Sequence, residues 1–357
     1  MSCLGNGEIR EQEYLESGMK ALVFHGDHDL RYEEVPNPQI SEHEALIKVK
    51  AVGICGSDIH GYEGKTGRRT PPMIMGHEFS GIVEKTGKAV TQVKTGDRVV
   101  VFPYATCGKC PYCRREEVNQ CPDKKFFGVF TVNGAMAQYI NARSDMLSPL
   151  PDQSGYVHGA LVEPMSVAAR GVAKADIGPE STVTIIGAGT IGLASLILAK
   201  MKKPQFVVMV DIIESRLHLA RELGADFTFN STKDDPIRFI SNQLKGGTSV
   251  VIEAVGIEKT VQQSIQWAVR AGKVVIVGLS QKMMSLDMHE IVNKEVKMEG
   301  SFLYDRREFQ DILKQLPALM PSLDKMVSLT APLAEGGALF KRLAKMEDNL
   351  FKVILTD

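Results

Sequence analysis

The sequence predicts a two-part α/β protein, in which a doubly wound parallel sheet is joined to a β-rich unit of irregular barrel type. Three observations predict it. From Lys20 to about Pro151 the chain reads as short strands and glycine-bearing turns, with few helices. From near Glu163, short apolar strands alternate with amphipathic helices, the pattern of a parallel sheet covered on both faces. At the first of these strand–helix junctions stands Gly187-Ala188-Gly189-Thr190-Ile191-Gly192.

In chain order, residues 1–18 are polar and acidic and read as an N-terminal extension before Met19-Lys20-Ala21. Strands are expected at Ala45–Lys50, Gly81–Glu84 and Asp97–Phe102. In the second part, strands at Val183–Ile186, Phe206–Val210, Ser249–Ile252 and Lys273–Val277 interleave with helices at Thr190–Met201, Ile213–Leu223 and Glu258–Val269. After about Ser301 the pattern loosens, and Phe351–Leu355 reads as a strand returning to the first part. The expected domains are 19–164 with 303–357, and 165–302.

Composition excludes several function classes. A formal net charge of −1 gives no electrostatic reason to bind nucleic acid or an acidic membrane. The uncharged run Ser181–Ala199 has the length of a membrane span, but three glycines and β-branched residues divide it into a buried strand, a turn and a buried helix. Of the six cysteines, Cys3 and Cys55 stand alone, whereas Cys107, Cys110, Cys113 and Cys121 fall in one short segment. Clustered in this way they read as metal ligands rather than disulfides, which fits a cytoplasmic protein.

Each motif has a physical reading. In the GxGxxG run, Gly187 allows the tight turn, Gly189 lets backbone approach a pyrophosphate and Gly192 lets helix pack on strand. The helix that follows presents free N–H groups to phosphate. Asp211 ends the next strand, where a carboxylate accepts the ribose hydroxyls of NAD and repels the 2′-phosphate of NADP. Arg216, about one turn further on, is placed to cover the adenosine. The spacing C-x2-C-x2-C-x7-C from Cys107 to Cys121 suits four thiolates closing a tetrahedral zinc site with no open position. Three separated segments carry further ligand types: Gly53-Ile54-Cys55-Gly56-Ser57-Asp58-Ile59-His60, Gly76-His77-Glu78-Phe79-Ser80-Gly81 and Leu161-Val162-Glu163-Pro164. Cys55, His77 and a carboxylate form a mixed shell that leaves one exchangeable position on zinc.

Together these segments resemble the zinc-dependent medium-chain alcohol dehydrogenase superfamily over nearly the whole chain from Met19. Glu163-Pro164-Met165-Ser166-Val167 resembles its polyol branch, which includes sorbitol, threonine, butanediol and galactitol-phosphate dehydrogenases. The resemblance implies a GroES-like catalytic domain, a Rossmann coenzyme domain, NAD, two zinc ions per chain and a homodimer or homotetramer. It implies Cys55 and His77 as ligands of the catalytic zinc, with Glu78 and Glu163 competing for the remaining position. It implies a proton path through Ser57 and His60, a nicotinamide bordered by Val277, Gly278 and Leu279, and substrate contacts from Phe127, Leu303 and Tyr304. The reaction expected is hydride transfer from a secondary alcohol of a polyol, sugar alcohol or vicinal diol to NAD. A non-catalytic zinc- and dinucleotide-binding protein of the same fold is the alternative. Leu303 departs from the arginine of sorbitol dehydrogenases, and Asn133-Gly134 replaces a more usual Gly-Gly. Lys65, Arg68 and Arg69 form a basic loop that is either a phosphate anchor or ordinary solvated surface.

Overall fold

The structure, a computed structural model, describes residues 18–233, 239, 246–346 and 350–357. The expected N-terminal extension lies outside the described residues up to position 17. Two compact units result: Met1–Glu163 with Leu313–Met320 and Val327–Asp357, and Pro164–Ile312 with Pro321–Met326. Residues 303–312 fall in the second unit, where the sequence reading had put them in the first.

The first unit is built on a seven-stranded sheet with Glu44–Gly53 at its centre. That strand pairs antiparallel with Glu78–Thr86, setting Gly53 opposite Glu78 and Val52 opposite Phe79. On its other edge Val353–Thr356 pairs antiparallel, with Ile354 opposite Gly53. The end of the central strand thus meets residues from two distant stretches of chain. Ala45, Ile47 and Ala51 are buried, as are Phe79 and Val83 on the neighbouring strand and Ile354 on the other. Ladder hydrogen bonds and apolar burial therefore hold the same register, because a slip by one residue would turn these side chains outward.

The second unit is a six-stranded, wholly parallel sheet. Its spatial order is Phe227–Asn230, Phe206–Asp211, Thr182–Ile186, Thr248–Glu253, Ala268–Ile276 and Lys297–Gly300. This is the doubly wound order, with its switch point between the third and fourth strands named. Val183, Val208, Val251 and Val274 are fully buried, the continuous apolar run of strands covered on both faces. The Ser181–Ala199 run is strand Thr182–Ile186, a glycine turn and helix Thr190–Met201. Among the described residues no helix is long and apolar enough to cross a membrane.

Two segments differ from the sequence reading. The helix begun at Glu258 stops at Trp267, and Ala268 already belongs to the next strand. The segment after Ser301 holds a helix of 21 residues, Arg306–Met326. Pro317 and Pro321 sit inside it, and such prolines usually end helices because they lack an N–H. Here Phe309, Ile312, Leu316, Leu319, Leu323 and Met326 form a buried stripe at helical spacing, and its burial offsets the lost hydrogen bonds.

At the glycine turn a Cβ on Gly192 would collide with the carbonyl of Gly187, a backbone atom that cannot step aside. Gly192→Ala is therefore expected to destabilise the second unit by about 1–3 kcal/mol. Denaturant melts at matched m-value check this, and an unchanged midpoint would contradict it.

Candidate functional site

The first constellation grows out of the register at Gly53. Cys55 is the N-cap of the seven-residue helix Gly56–Tyr62; its Sγ accepts from the Ser57 N–H, while Asp58 Oδ2 accepts from the Cys55 N–H. This reciprocal capping box fixes the thiol at the helix start. His77 immediately precedes the strand that carries Glu78, so Cys55, His77 and Glu78 converge with ligand atoms within 4.8 Å of one another. His77, Glu78 and Glu163 are all buried. Glu163 lies in the first turn of helix Val162–Ala175. Ser57 is exposed and His60 half-buried on the short helix.

Four residues that shape this site were not singled out for it from the sequence. Lys352 is 1% exposed and ion-paired with Glu78, and its ammonium also donates to the Ile54 carbonyl at 3.2 Å. A side chain at position 53 would run into the Glu78 carboxylate and come within 3.1 Å of Lys352 Nζ, so glycine there makes room for the pair. Asp58, fully buried, lies 3.7 Å from His77 Nδ1 and accepts from Arg69 at 2.9 Å. The Phe126 ring packs against His77 at 5.2 Å, whereas its neighbour Phe127 packs on Phe79.

Electrostatics show what the set lacks. Burial, with the Glu78 and Asp58 charges beside it, pushes the Cys55 thiol up to about 12. Burial pushes the Glu163 carboxyl up to about 8; His77 and Lys352 oppose this, and Glu78 and Cys55 reinforce it. Lys352 and Arg69 form ion pairs with Glu78 and Asp58, whereas burial outweighs the nearby cations at the thiol and the Glu163 carboxyl. A divalent cation is what such a buried sulfur, nitrogen and oxygen donor set fits, and the buried His77 Nδ1 makes no hydrogen bond within the described residues.

The second constellation is the cysteine cluster. Cys107, Cys110, Cys113 and Cys121 converge with no disulfide among them. Cys110 caps the short helix Pro111–Arg114, and the backbone N–H groups of Cys107, Cys110 and Cys113 point at sulfurs. The backbone N–H groups of Lys109 and Cys110 bring Cys107 down to about 7. Its sulfur lies 3.9 Å from that of Cys113 and 3.7 Å from that of Cys121. Sulfurs ~2.3 Å from one tetrahedral zinc stand roughly 3.8 Å apart, so these distances fit a closed zinc site.

The third constellation lines the carboxyl ends of the parallel strands. Gly187 takes φ +100°, and a Cβ there would meet Val255, whereas Gly189 faces open space at the N-cap of helix Thr190–Met201. Asp211 accepts from the Ala188 N–H at 2.6 Å and from the Ile212 and Ile213 N–H groups, so it ties the glycine turn to its own strand end. Ile191 and Arg216 are half-buried. Val277 and Gly278 both donate to the Glu253 carbonyl, and Leu279 is 62% exposed. Glu253 was also missed. Its side chain accepts from Val255 and Gly256 N–H, so one buried residue holds both loops.

The remaining sequence-selected residues divide. Tyr304 is fully buried and stacked on Phe309, while Leu303 is half-buried with φ +51°. Asn133 accepts from the Ile74 N–H, which accounts for a side chain in place of the more usual glycine. The basic loop is neither solvated throughout nor a three-cation anchor, because Lys65 pairs with Glu63 and Arg69 is turned inward onto Asp58.

Burial lifts the Glu253 carboxyl above its ordinary range, against the hydrogen bonds from Gly256, Thr260 and Val255. The folded protein then keeps a proton that the unfolded chain has lost. Stability from this group is therefore full at low pH and falls as pH rises above the ordinary value of 4.5 toward the folded one. Glu253→Gln is expected to remove that decline, so the Tm of the variant relative to wild type should climb between pH 4.5 and 7.5. A pH-independent difference would contradict this.

Residues 41–152 match the family of alcohol dehydrogenase GroES-like domains, and residues 190–317 the family of zinc-binding dehydrogenases. The chain is 38% identical to a sorbitol dehydrogenase of Bacillus subtilis, over 80% of this chain and 82% of that one. It is 34% identical to a D-arabitol-phosphate dehydrogenase of Enterococcus avium, over 89% and 91%. Among solved structures, a zinc-binding dehydrogenase of Sinorhizobium meliloti 1021 bound to NADP superposes with a TM-score of 0.88 at 30% identity, covering 96% of this chain and all (100%) of that one.

Proposed function

The chain belongs to the polyol branch of the zinc-dependent medium-chain alcohol dehydrogenase superfamily, and from that premise we propose that it oxidises a secondary hydroxyl of an unphosphorylated polyol or vicinal diol, with NAD as acceptor. The observation that carries the site assignment is the convergence of Cys55, His77 and Glu78 beside the buried Lys352. The non-catalytic alternative has no use for an open-type ligand set and a neighbouring Ser57–His60 pair.

Cys55, His77 and Glu78 are the resting ligands in this reading, because theirs are the atoms that converge; Glu163 is the carboxylate in reserve. The chemistry supplied by zinc held there is Lewis acidity toward a substrate hydroxyl, and that supplied by NAD is a hydride acceptor. Ser57 and His60 lie one helical turn apart, and their accessibility suits them to pass the released proton to solvent. The four-cysteine site organises its lobe. Val277, Gly278 and Leu279 border the nicotinamide, positioned by Glu253. The substrate contacts of Phe127, Leu303 and Tyr304 rest on the family likeness alone, and Tyr304 is buried in its own unit. A homodimeric or homotetrameric enzyme of the cytoplasm accompanies the reading, supported by the family likeness and by thiols that suit a reducing compartment.

Asp211 favours NAD. Its oxygens are held by three backbone N–H groups and keep lone pairs for ribose hydroxyls, and a 2′-phosphate there would meet a like charge. NAD should be preferred by about 1–3 kcal/mol in kcat/KM, and Asp211→Ser should narrow the gap. Equal use of both coenzymes by the wild type would remove this role.

Withdrawal of Arg69 into the interior and pairing of Lys65 leave Arg68 as the exposed guanidinium of the loop, which favours a neutral substrate. NADH formation should be faster with short diols and unphosphorylated polyols than with sugar-alcohol phosphates, and Leu303→Arg should raise kcat/KM for sorbitol relative to short diols. A phosphorylated substrate outrunning its neutral counterpart would reverse the assignment.

A further inference from the structure

Arg69 is the unexpected member of the basic loop. Its side chain is 3% exposed, and it donates to Asp58 Oδ1 at 2.9 Å, with the carbonyls of Arg68 and Ser57 at 3.4 and 3.5 Å. Asp58 is wholly buried and faces two metal-ligand candidates at once. Its Oδ2 accepts the Cys55 N–H at 3.2 Å, and its Oδ1 lies 3.7 Å from His77 Nδ1. A carboxylate buried this deeply is costly unless a cation stands beside it, and Arg69 is that cation.

The sequence makes room for this contact. Gly61, on the short helix, lies against the arginine stem; a Cβ there would come 2.8 Å from Arg69 Cγ and 3.3 Å from Nε. A side chain at position 61 would press on the stem that carries the guanidinium to Asp58. The ion pair, the capping box at Cys55 and the glycine opposite Arg69 therefore form one arrangement, running from the loop through Asp58 to Cys55 and His77.

We propose that Arg69 is a positioning residue for the metal at Cys55 and His77. By holding Asp58, it fixes the start of the Cys55 helix and keeps a carboxylate 3.7 Å from His77 Nδ1. The proposal rests on the zinc reading of the Cys55–His77 site. Groups of this kind, one step behind the ligands, typically change metal affinity by about 10–100-fold. Arg69 stands one step further back, and the fork geometry of its guanidinium is what a lysine does not reproduce.

The experiment measures zinc per chain and zinc affinity at each site, by competition with a chelator, for wild type, Arg69→Gln, Arg69→Lys, Asp58→Asn and the double variant Arg69→Gln/Asp58→Asn. Wild type should hold two zinc ions; one ion only, at the four cysteines, would overturn the Cys55–His77 reading itself. Arg69→Gln should keep the four-cysteine zinc and bind the other about tenfold or more weakly. Arg69→Lys should fall between it and wild type. In the Asp58→Asn background, Arg69→Gln should add less than about twofold, because its route to the metal has already been cut. Wild-type affinity in Arg69→Gln would overturn the proposal. So would an undiminished effect in the Asp58→Asn background, or loss of both zinc ions together in Arg69→Gln and Arg69→Lys, which would mark Arg69 as a folding residue. Gly61→Leu is the independent check: it leaves both charges in the chain and should weaken the same zinc site alone.

Discussion

The buried Glu78–Lys352 ion pair is the constraint on which the metal site depends. Two full charges removed from water cost several kcal/mol each, and they persist only if the fold leaves them no other place to go. Sheet register supplies that confinement. Gly53 stands opposite Glu78 on one side and Ile354 on the other, so the carboxylate and the ammonium of the residue before Val353 meet over a position that has no side chain. Cys55 follows Gly53 by two residues and His77 precedes Glu78 by one. The same ladder that pairs the charges therefore delivers the thiol and the imidazole. The ion pair itself cannot form until strand Val353–Thr356 has paired with Glu44–Gly53.

Charge balance explains why the remaining groups are left as they are. Asp58 and Glu78 each have a cation of their own in Arg69 and Lys352. Cys55 and Glu163 have none and hold their protons more tightly than free side chains do. A protein meant only to be stable gains nothing by burying an acid thiol beside an acid carboxyl, and it would do better with apolar residues of the same size. An arrangement that sets four acids, Cys55, Asp58, Glu78 and Glu163, against two buried cations, Arg69 and Lys352, leaves a shortfall of positive charge at one point. Metal binding meets that shortfall, and the free energy of binding is then returned to the fold.

The coenzyme-type site in the second unit is built on the opposite plan. There the candidate determinants are backbone positions: the open face at Gly189 and the turn at Gly187. Side chains serve mainly to hold backbone. Glu253 bonds the 255–256 amides with its carboxyl and the 277–278 amides with its own carbonyl, and Gly256 and Gly278 pack so closely that a Cβ on either would meet the other's chain. A flat ring and a pyrophosphate are recognised by close approach, so the sequence there must omit side chains rather than supply them. That is why glycine positions carry the motif.

This contrast also explains what was legible in the sequence. The four clustered cysteines, the glycines of residues 187–192, and Cys55 with His77 and a carboxylate could be picked out as candidates, because each answers to local chemistry: a ligand atom present or a Cβ absent. The helix over Arg306–Met326 could not be read locally, because Pro317 and Pro321 signal an end and only tertiary burial of its stripe overrules them. Lys352, Arg69 and Glu253 were illegible for a further reason. Each compensates a charge or an amide contributed by another segment, and on the sequence alone a compensating lysine or arginine looks like any surface cation. Arg69 even looked like part of a basic patch with Lys65 and Arg68. What separates it from them is Gly61, eight positions earlier, across which the arginine stem lies. Buried acids in a ligand motif imply buried cations elsewhere in the chain, and a glycine that no turn requires is one of the few local marks such a cation leaves.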